Sequence, residues 1–286
     1  MNYIAFLITL IATGCASVHF GSGPHPAIER YGMLSFGDSI QVDQTEVRLA
    51  EWIEFMQNSD PGRIGSFIDR KEHSVEELEL ILRTPLDEAL LPDPSYPYYA
   101  LLLNLLDLNN GQGIAFGAGS SSNTNLVLNS AYFSDMTIAD STANILNSPI
   151  TGITFQQAKD FCAWRTQVDH QRYEESSGRL EFGLISRSIF DALTFDIDSM
   201  NKPGERTFNY GTNSLSYWKE YSTKLEHCHN GLWDMYGNAA EMLNTYGLAI
   251  GGSYKSTAAD CLAKGTVEYA ISSPEVGFRC IAREMK

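Results

Sequence analysis

The chain has 286 residues and a net charge of −15, from 35 acidic and 20 basic side chains. A chain of that length can bury a core without help from metals or bridges, and it leaves room for one large domain or two ordinary ones. The acidic balance argues against nucleic acid or anionic lipid as a partner.

Tyr3 to Thr13 form an apolar run of signal-peptide length, too short to span a bilayer as a helix. The run ends Ala12-Thr13-Gly14-Cys15, small residues followed by a cysteine. This resembles a bacterial lipoprotein box, in which the cysteine is lipidated and becomes the new first residue. The expected division is a signal peptide over 1–14, lipidation at Cys15, a tether over 15–30 and one elaborated domain over 31–286. The tether, rich in Gly, Pro, Ser and His, has no composition for a core. An ordinary secretory signal that happens to contain a cysteine is the competing reading, and the leader does lack Lys and Arg before its apolar run.

Leu49, Trp52, Ile53 and Met56 follow helical spacing, with Thr45 the expected N-cap. Ser74-Val75-Glu76-Glu77 reads as a capping box opening a second helix through about Arg83. Pro85, Pro92, Pro94 and Pro97 make 84–98 a loop. Tyr98 to Asp107 is apolar and reads as a short buried helix. The glycine-rich stretch 111–125 has neither the strand–loop–helix context nor the following Lys of a phosphate loop, and reads as a mobile surface loop. Thr154-Phe155-Gln156-Gln157 is a second capping box, and Ala158, Phe161, Cys162 and Arg165 share one face of the helix it opens. Residues 182–193 read as a short strand, then Ser186 as cap, then a helix with Ile189, Phe190 and Leu193 inward. From about Asn201 onward, Gly and Asn punctuate short strands and turns.

The last quarter concentrates the chemistry. Gly237-Asn238 and Gly251-Gly252 mark tight turns or close backbone approaches. Asp234 and Glu241 flank the first turn with hard oxygens suited to calcium; a helix N-terminus carrying acids is the competing reading. Of the five cysteines, lipidation would remove Cys15 and leave Cys162, Cys228, Cys261 and Cys280. Four cysteines in an oxidising compartment allow three pairings. His227-Cys228-His229 is a poor zinc site, because adjacent residues seldom converge on one ion. No GxSxG motif and no glycosidase carboxylate couple stands out. The aromatic residues Tyr96, Tyr98, Tyr99, Trp218 and Tyr221 read as core or loop anchors rather than a sugar platform.

GLWDMYGNAAEM (231–242), GGSY (251–254) and VGFRC (276–280) resemble blocks of the formylglycine-generating enzyme, or sulfatase-modifying factor, family. That family carries GLYDM-x-GN-x-WEW, RGGSW and IGFRC in the same order. PITGITFQQAKDFCAW (149–164), FGLISRSIFDAL (182–193) and VDQTEVRLAEWIEFM (42–56) are similar to further family blocks. The resemblance implies an α+β, C-type-lectin-like fold: one domain of short strands with two or more packed helices. It also implies a bridge between Cys162 and Cys280, which leaves Cys228 with Cys261 as the second pair.

The family's catalyst is a pair of cysteines just after GGSW that binds copper(I) and oxidises a substrate cysteine to formylglycine. The corresponding positions are Ser256 and Cys261. A hydroxyl is a poor ligand for soft copper(I), so copper is not expected and the oxidase pair is vestigial. The family also holds a structural calcium, whose ligands carry over to Asp234, Gly237, Ala239 and Glu241. The lipoprotein box, the TEV-x-x-AEW block, LPD (91–93), Ala131-Tyr132-Phe133 and QAKDFCAWRTQ (157–167) are most similar to gliding-motility and type IX secretion lipoproteins of the Bacteroidota. The resemblance therefore implies a non-catalytic binding or scaffold module in the bacterial envelope. It would be lipid-anchored at Cys15, in the outer membrane facing periplasm or surface, and would meet envelope protein partners. The alternative is a copper-dependent oxidase using Cys261. A third possibility, a ligand-reading lectin or diversified receptor, lacks its expected Asn- and Tyr-rich segment in 255–275.

Overall fold

The computed structural model describes residues 30–36, 40–57, 86–100, 102–103, 147–173, 178–200, 209–211, 228–229, 231–262 and 265–285. The leader, Cys15, the tether, the helix expected from Ser74, the stretch 111–125, Ala131 to Phe133 and His227 lie outside the described residues.

The first long-range event is the meeting of the two ends of the domain. Strands β1 (Leu34–Phe36) and β2 (Ile40–Val42) join β10 (Cys280–Glu284) and β3 (Leu180–Leu184) in one antiparallel sheet, ordered β1-β2-β10-β3. Ile281 pairs with Val42 and, on the other side, with Gly183. Beyond β2 the chain bends through 44–46 and threads between two other segments. Val47 N–H donates to the Phe278 carbonyl at 2.9 Å, and Ile150 N–H donates to the Val47 carbonyl at 2.9 Å.

That threading decides where helix α1 (Leu49–Met56) begins. Arg48, bridged to Pro149, takes the N-cap position, and the expected cap Thr45 lies upstream in the irregular segment. Glu51, in the first turn, accepts from the Arg48 backbone N–H at 2.7 Å and from its guanidinium at 3.0 Å. Thr45 Oγ1 donates instead to the Glu46 carbonyl. All eight α1 residues are buried.

Helix α2 (Phe155–Arg172) starts where the capping box predicts. Gln157 N–H donates to Thr154 Oγ1 at 3.2 Å, and Thr154 N–H donates to Gln157 Oε1 at 2.9 Å. Ala158, Phe161, Cys162 and Arg165 are its buried face. Phe161 stacks on Trp52 at 5.8 Å and meets Phe278 edge-on at 5.4 Å. Full burial of an aromatic of this size contributes roughly 1.5–3 kcal/mol, so this trio clamps α1, α2 and the C-terminal segment together. Arg165, buried in the same face, holds Asp43 with two hydrogen bonds of 2.6 and 2.9 Å and lies over the Phe182 ring.

Helix α3 (Arg187–Met200) begins after Ser186, whose Oγ accepts from Ile189 N–H at 3.3 Å. Its inward residues Ile189, Phe190 and Leu193 build a second apolar cluster with Met235, Tyr236, Ile250 and Cys261. Short strands β4 (Cys228–His229) and β5 (Leu232–Trp233) pair with each other. Strands β6 (Ala240–Met242), β7 (Leu248–Ile250), β8 (Val267–Glu268) and β9 (Val276–Gly277) form a third sheet, ordered β8-β7-β6-β9. A short helix α4 (Ala258–Leu262) lies between β7 and β8. The described architecture is thus α+β, with helices packed on small sheets, as the resemblance implied. Among the described residues no helix is long and apolar enough to cross a membrane.

Candidate metal centre

The turn from β5 to β6 carries Asp234, and Glu241 follows it on β6. Asp234 (φ 50°) and Asn238 (φ 53°) both sit in the left-handed region, with Gly237 (φ 78°) between them. Non-glycine residues rarely adopt that conformation, so surrounding contacts must hold the turn in shape. Gly237 is there for space as well as conformation: a Cβ would lie 2.4 Å from the Asn209 carbonyl oxygen. Asn238 N–H donates to that same oxygen at 2.7 Å.

A buried arginine braces the turn. Arg279 Nε donates to Glu241 Oε1 at 2.8 Å, Nη1 to the Asp43 carbonyl at 2.9 Å and Nη2 to the Trp233 carbonyl at 2.6 Å. One guanidinium thereby ties the N-terminal segment, β5 and β6 together. Glu46 reaches the same place from the other side. Its Oε1 accepts from Asn238 Nδ2 at 3.0 Å and from Ala239 N–H at 3.4 Å.

Glu46, Asp234, Glu241 and Arg279 are all buried. Burial raises the Glu46 carboxyl well above its usual range; repulsion from Asp234 adds to this, and Arg279 opposes it. Burial also raises Glu241, with Arg279 pulling the other way. Glu46 Oε2 and Glu241 Oε2 are buried without a hydrogen-bond partner among the described residues. Unpaired buried carboxylate oxygens are costly, and a proton or a hard cation would satisfy them. No three His, Cys, Asp or Glu side chains among the described residues stand together so as to hold a metal ion. The set implied at this turn has two carboxylates, the rest being main-chain carbonyls, all of them hard oxygen donors of the kind calcium takes.

The second candidate position adjoins the first. Gly251 accepts from Gly237 N–H at 2.9 Å, and the next residue, Gly252, covers Cys261. A Cβ at Gly252 would lie 2.6 Å from Cys261 Sγ. Cys261 is 1% exposed. Burial, helped by Asp260, pushes its thiol up to about 11, while the Gly237 amide pulls slightly the other way. At neutral pH it is a protonated thiol and not a thiolate. Ser256 Oγ accepts from Ser253 N–H at 2.9 Å, and the Ser256 carbonyl accepts from Gly211 N–H. Ser253 Oγ in turn donates to Glu275 at 2.7 Å. The hydroxyl is thus built into the turn.

The model of the sulfatase-modifying factor enzyme 1-like domain matches residues 38–284. The chain belongs to this family. No curated protein matches the chain. Among solved structures, Treponema denticola variable protein 1 is similar at 14% identity and a TM-score of 0.35, with 85% of this chain and 84% of that one covered.

Within this sulfatase-modifying factor domain, the expected site residues fall in two adjoining places. Asp234, Gly237 and Ala239 lie on the turn that leads into Glu241 on β6, while Ser256 belongs to the turn after Gly251-Gly252 and Cys261, on α4, packs against Gly252. Cys162 and Cys280, free thiols here, lie side by side with Sγ atoms 3.5 Å apart. The backbone of Cys228 pairs with Trp233, next to Asp234, but its side chain, and so its pairing with Cys261, lies outside the described residues. Sequence reasoning assigned no role to Glu46 or Arg279. The available signal was a charged residue inside each apolar block, Glu46 before Val47 and Arg279 between Phe278 and Cys280.

Proposed function

We propose that this chain is a non-catalytic member of the family: an envelope lipoprotein, lipid-anchored at Cys15, whose domain is a rigid platform for protein partners. The observation that carries this reading is Ser256, in the place of the first copper ligand. Its hydroxyl is engaged by the turn, and the second position holds a buried, protonated Cys261. Copper(I) prefers a pair of thiolates, and this chain offers one sulfur that resists ionisation. The reduced protein should bind less than one equivalent of copper(I) and leave a CxPxR peptide unconverted. Appearance of the peptide aldehyde would establish the copper-dependent oxidase instead.

A structural calcium belongs to the same reading, held by Asp234, Glu241 and the carbonyls of Gly237 and Ala239. What supports it is the unpaired Glu241 Oε2 beside Asp234. The ion would supply positive charge to a buried acidic turn. Calcium should raise the melting temperature of the wild type, and Glu241→Ala should lose that response. The gliding or type IX secretion setting rests on the sequence blocks alone. Pull-down from envelope membranes should recover a protein complex, whereas recovery of the chain by itself counts against the scaffold.

A further inference from the structure

Glu46 comes to the metal turn from 192 positions earlier in the chain. It is fully buried, and neither of its oxygens serves a helix cap or a strand. Oε1 holds Asn238 and Ala239, the stretch that carries one of the two main-chain carbonyls expected to face the ion. Oε2 is buried without a hydrogen-bond partner among the described residues. Asp234 and Glu241 repel the group and Arg279 attracts it, so all four share one electrostatic environment. As a device for stability alone this is poor design, since a buried carboxylate next to two like charges costs more than the two hydrogen bonds to Oε1 return. With a divalent cation present, three carboxylates and one guanidinium come to neutrality.

We propose that Glu46 is a positioning residue of the cation site, which fixes the Asn238–Ala239 backbone and supplies the charge that balances the ion. It acts from outside the ligand set, because no three acidic side chains here stand together as a cage. The inference rests on the calcium reading above and extends it to a residue outside the turn. Partners that orient metal ligands in this way are worth about 10–100-fold in affinity.

The test compares wild type, Glu46→Gln and Glu46→Asp by calcium titration calorimetry and by melting temperature in EDTA and in calcium. Glu46→Gln keeps the shape and an acceptor for Asn238 but removes the charge. Its calcium Kd should rise about 10–100-fold, while its melting temperature in EDTA should equal or exceed that of the wild type. Glu46→Asp keeps the charge and should recover part of the affinity. Equal calcium affinity in wild type and Glu46→Gln would overturn the role of Glu46 and leave the calcium site standing. A wild type that does not bind calcium would overturn both. A Glu46→Gln protein that loses as much stability in EDTA as in calcium would show a packing role only.

Discussion

Gly252, at φ 73°, lies directly over the sulfur of Cys261, and no other residue fits there. Gly252→Ala should cost roughly 1–3 kcal/mol from overpacking, plus roughly 1–2 kcal/mol for the left-handed backbone. A double-mutant cycle with Cys261→Ala, read from urea midpoints, should return the part of the overpacking due to the sulfur and none of the backbone cost. Strict additivity of the two substitutions would mean that the thiol does not support the turn. The same packing predicts chemistry. With its thiol pushed up to about 11, Cys261 should resist iodoacetamide at pH 8 in the native protein and react after unfolding. Gly251-Gly252 was legible as a turn because glycine reports its own conformational freedom. The neighbour that makes Gly252 obligatory was not, since it sits nine positions on in a different element.

At the scale of elements, the two caps teach opposite lessons. Thr154 was legible because its partner Gln157 is three residues away, and the box closes whatever the rest of the chain does. The start of α1 was not, because the segment before it is claimed by Phe278 and Ile150, which leaves Arg48 to cap the helix with Glu51. Burial alone would raise the Glu51 carboxyl; the Arg48 charge and hydrogen bonds outweigh it and set the carboxyl below the ordinary glutamate value of 4.5. A depressed carboxyl stabilises the fold above the unfolded-state value and loses that contribution as pH falls through the folded one. The stability advantage of wild type over Glu51→Gln should therefore be full at neutral pH and shrink progressively below about pH 4.5. An advantage independent of pH between 3 and 7, measured by urea unfolding, would assign the effect to shape and not to charge.

At the scale of the molecule, β2 and β10 bring the beginning and end of the domain together, and the cysteines follow. Cys162 on α2 and Cys280 on β10 are 118 positions apart in sequence and in contact in space. A bridge closing a loop of that length is worth about 4–5 kcal/mol in the chain-entropy account. A non-reducing peptide map of the mature protein should show Cys162 linked to Cys280, and reduction should lower the urea midpoint. Full alkylation of both thiols before reduction would contradict this. The same map shows whether Cys228 is joined to Cys261, which would leave no thiol for copper. The sequence by itself determined the helices with local caps, the inward faces of α2 and α3 and the turns at Gly237 and Gly251. It also determined the family, through ordered blocks that span most of the chain. Only the tertiary structure decided which charges are buried together. Glu46, Asp234, Glu241 and Arg279 come from three distant stretches, and their energies depend on mutual distance and exclusion of water. Periodicity reports which face of an element is apolar; it carries no information on which charged residue from another element will be enclosed beneath that face.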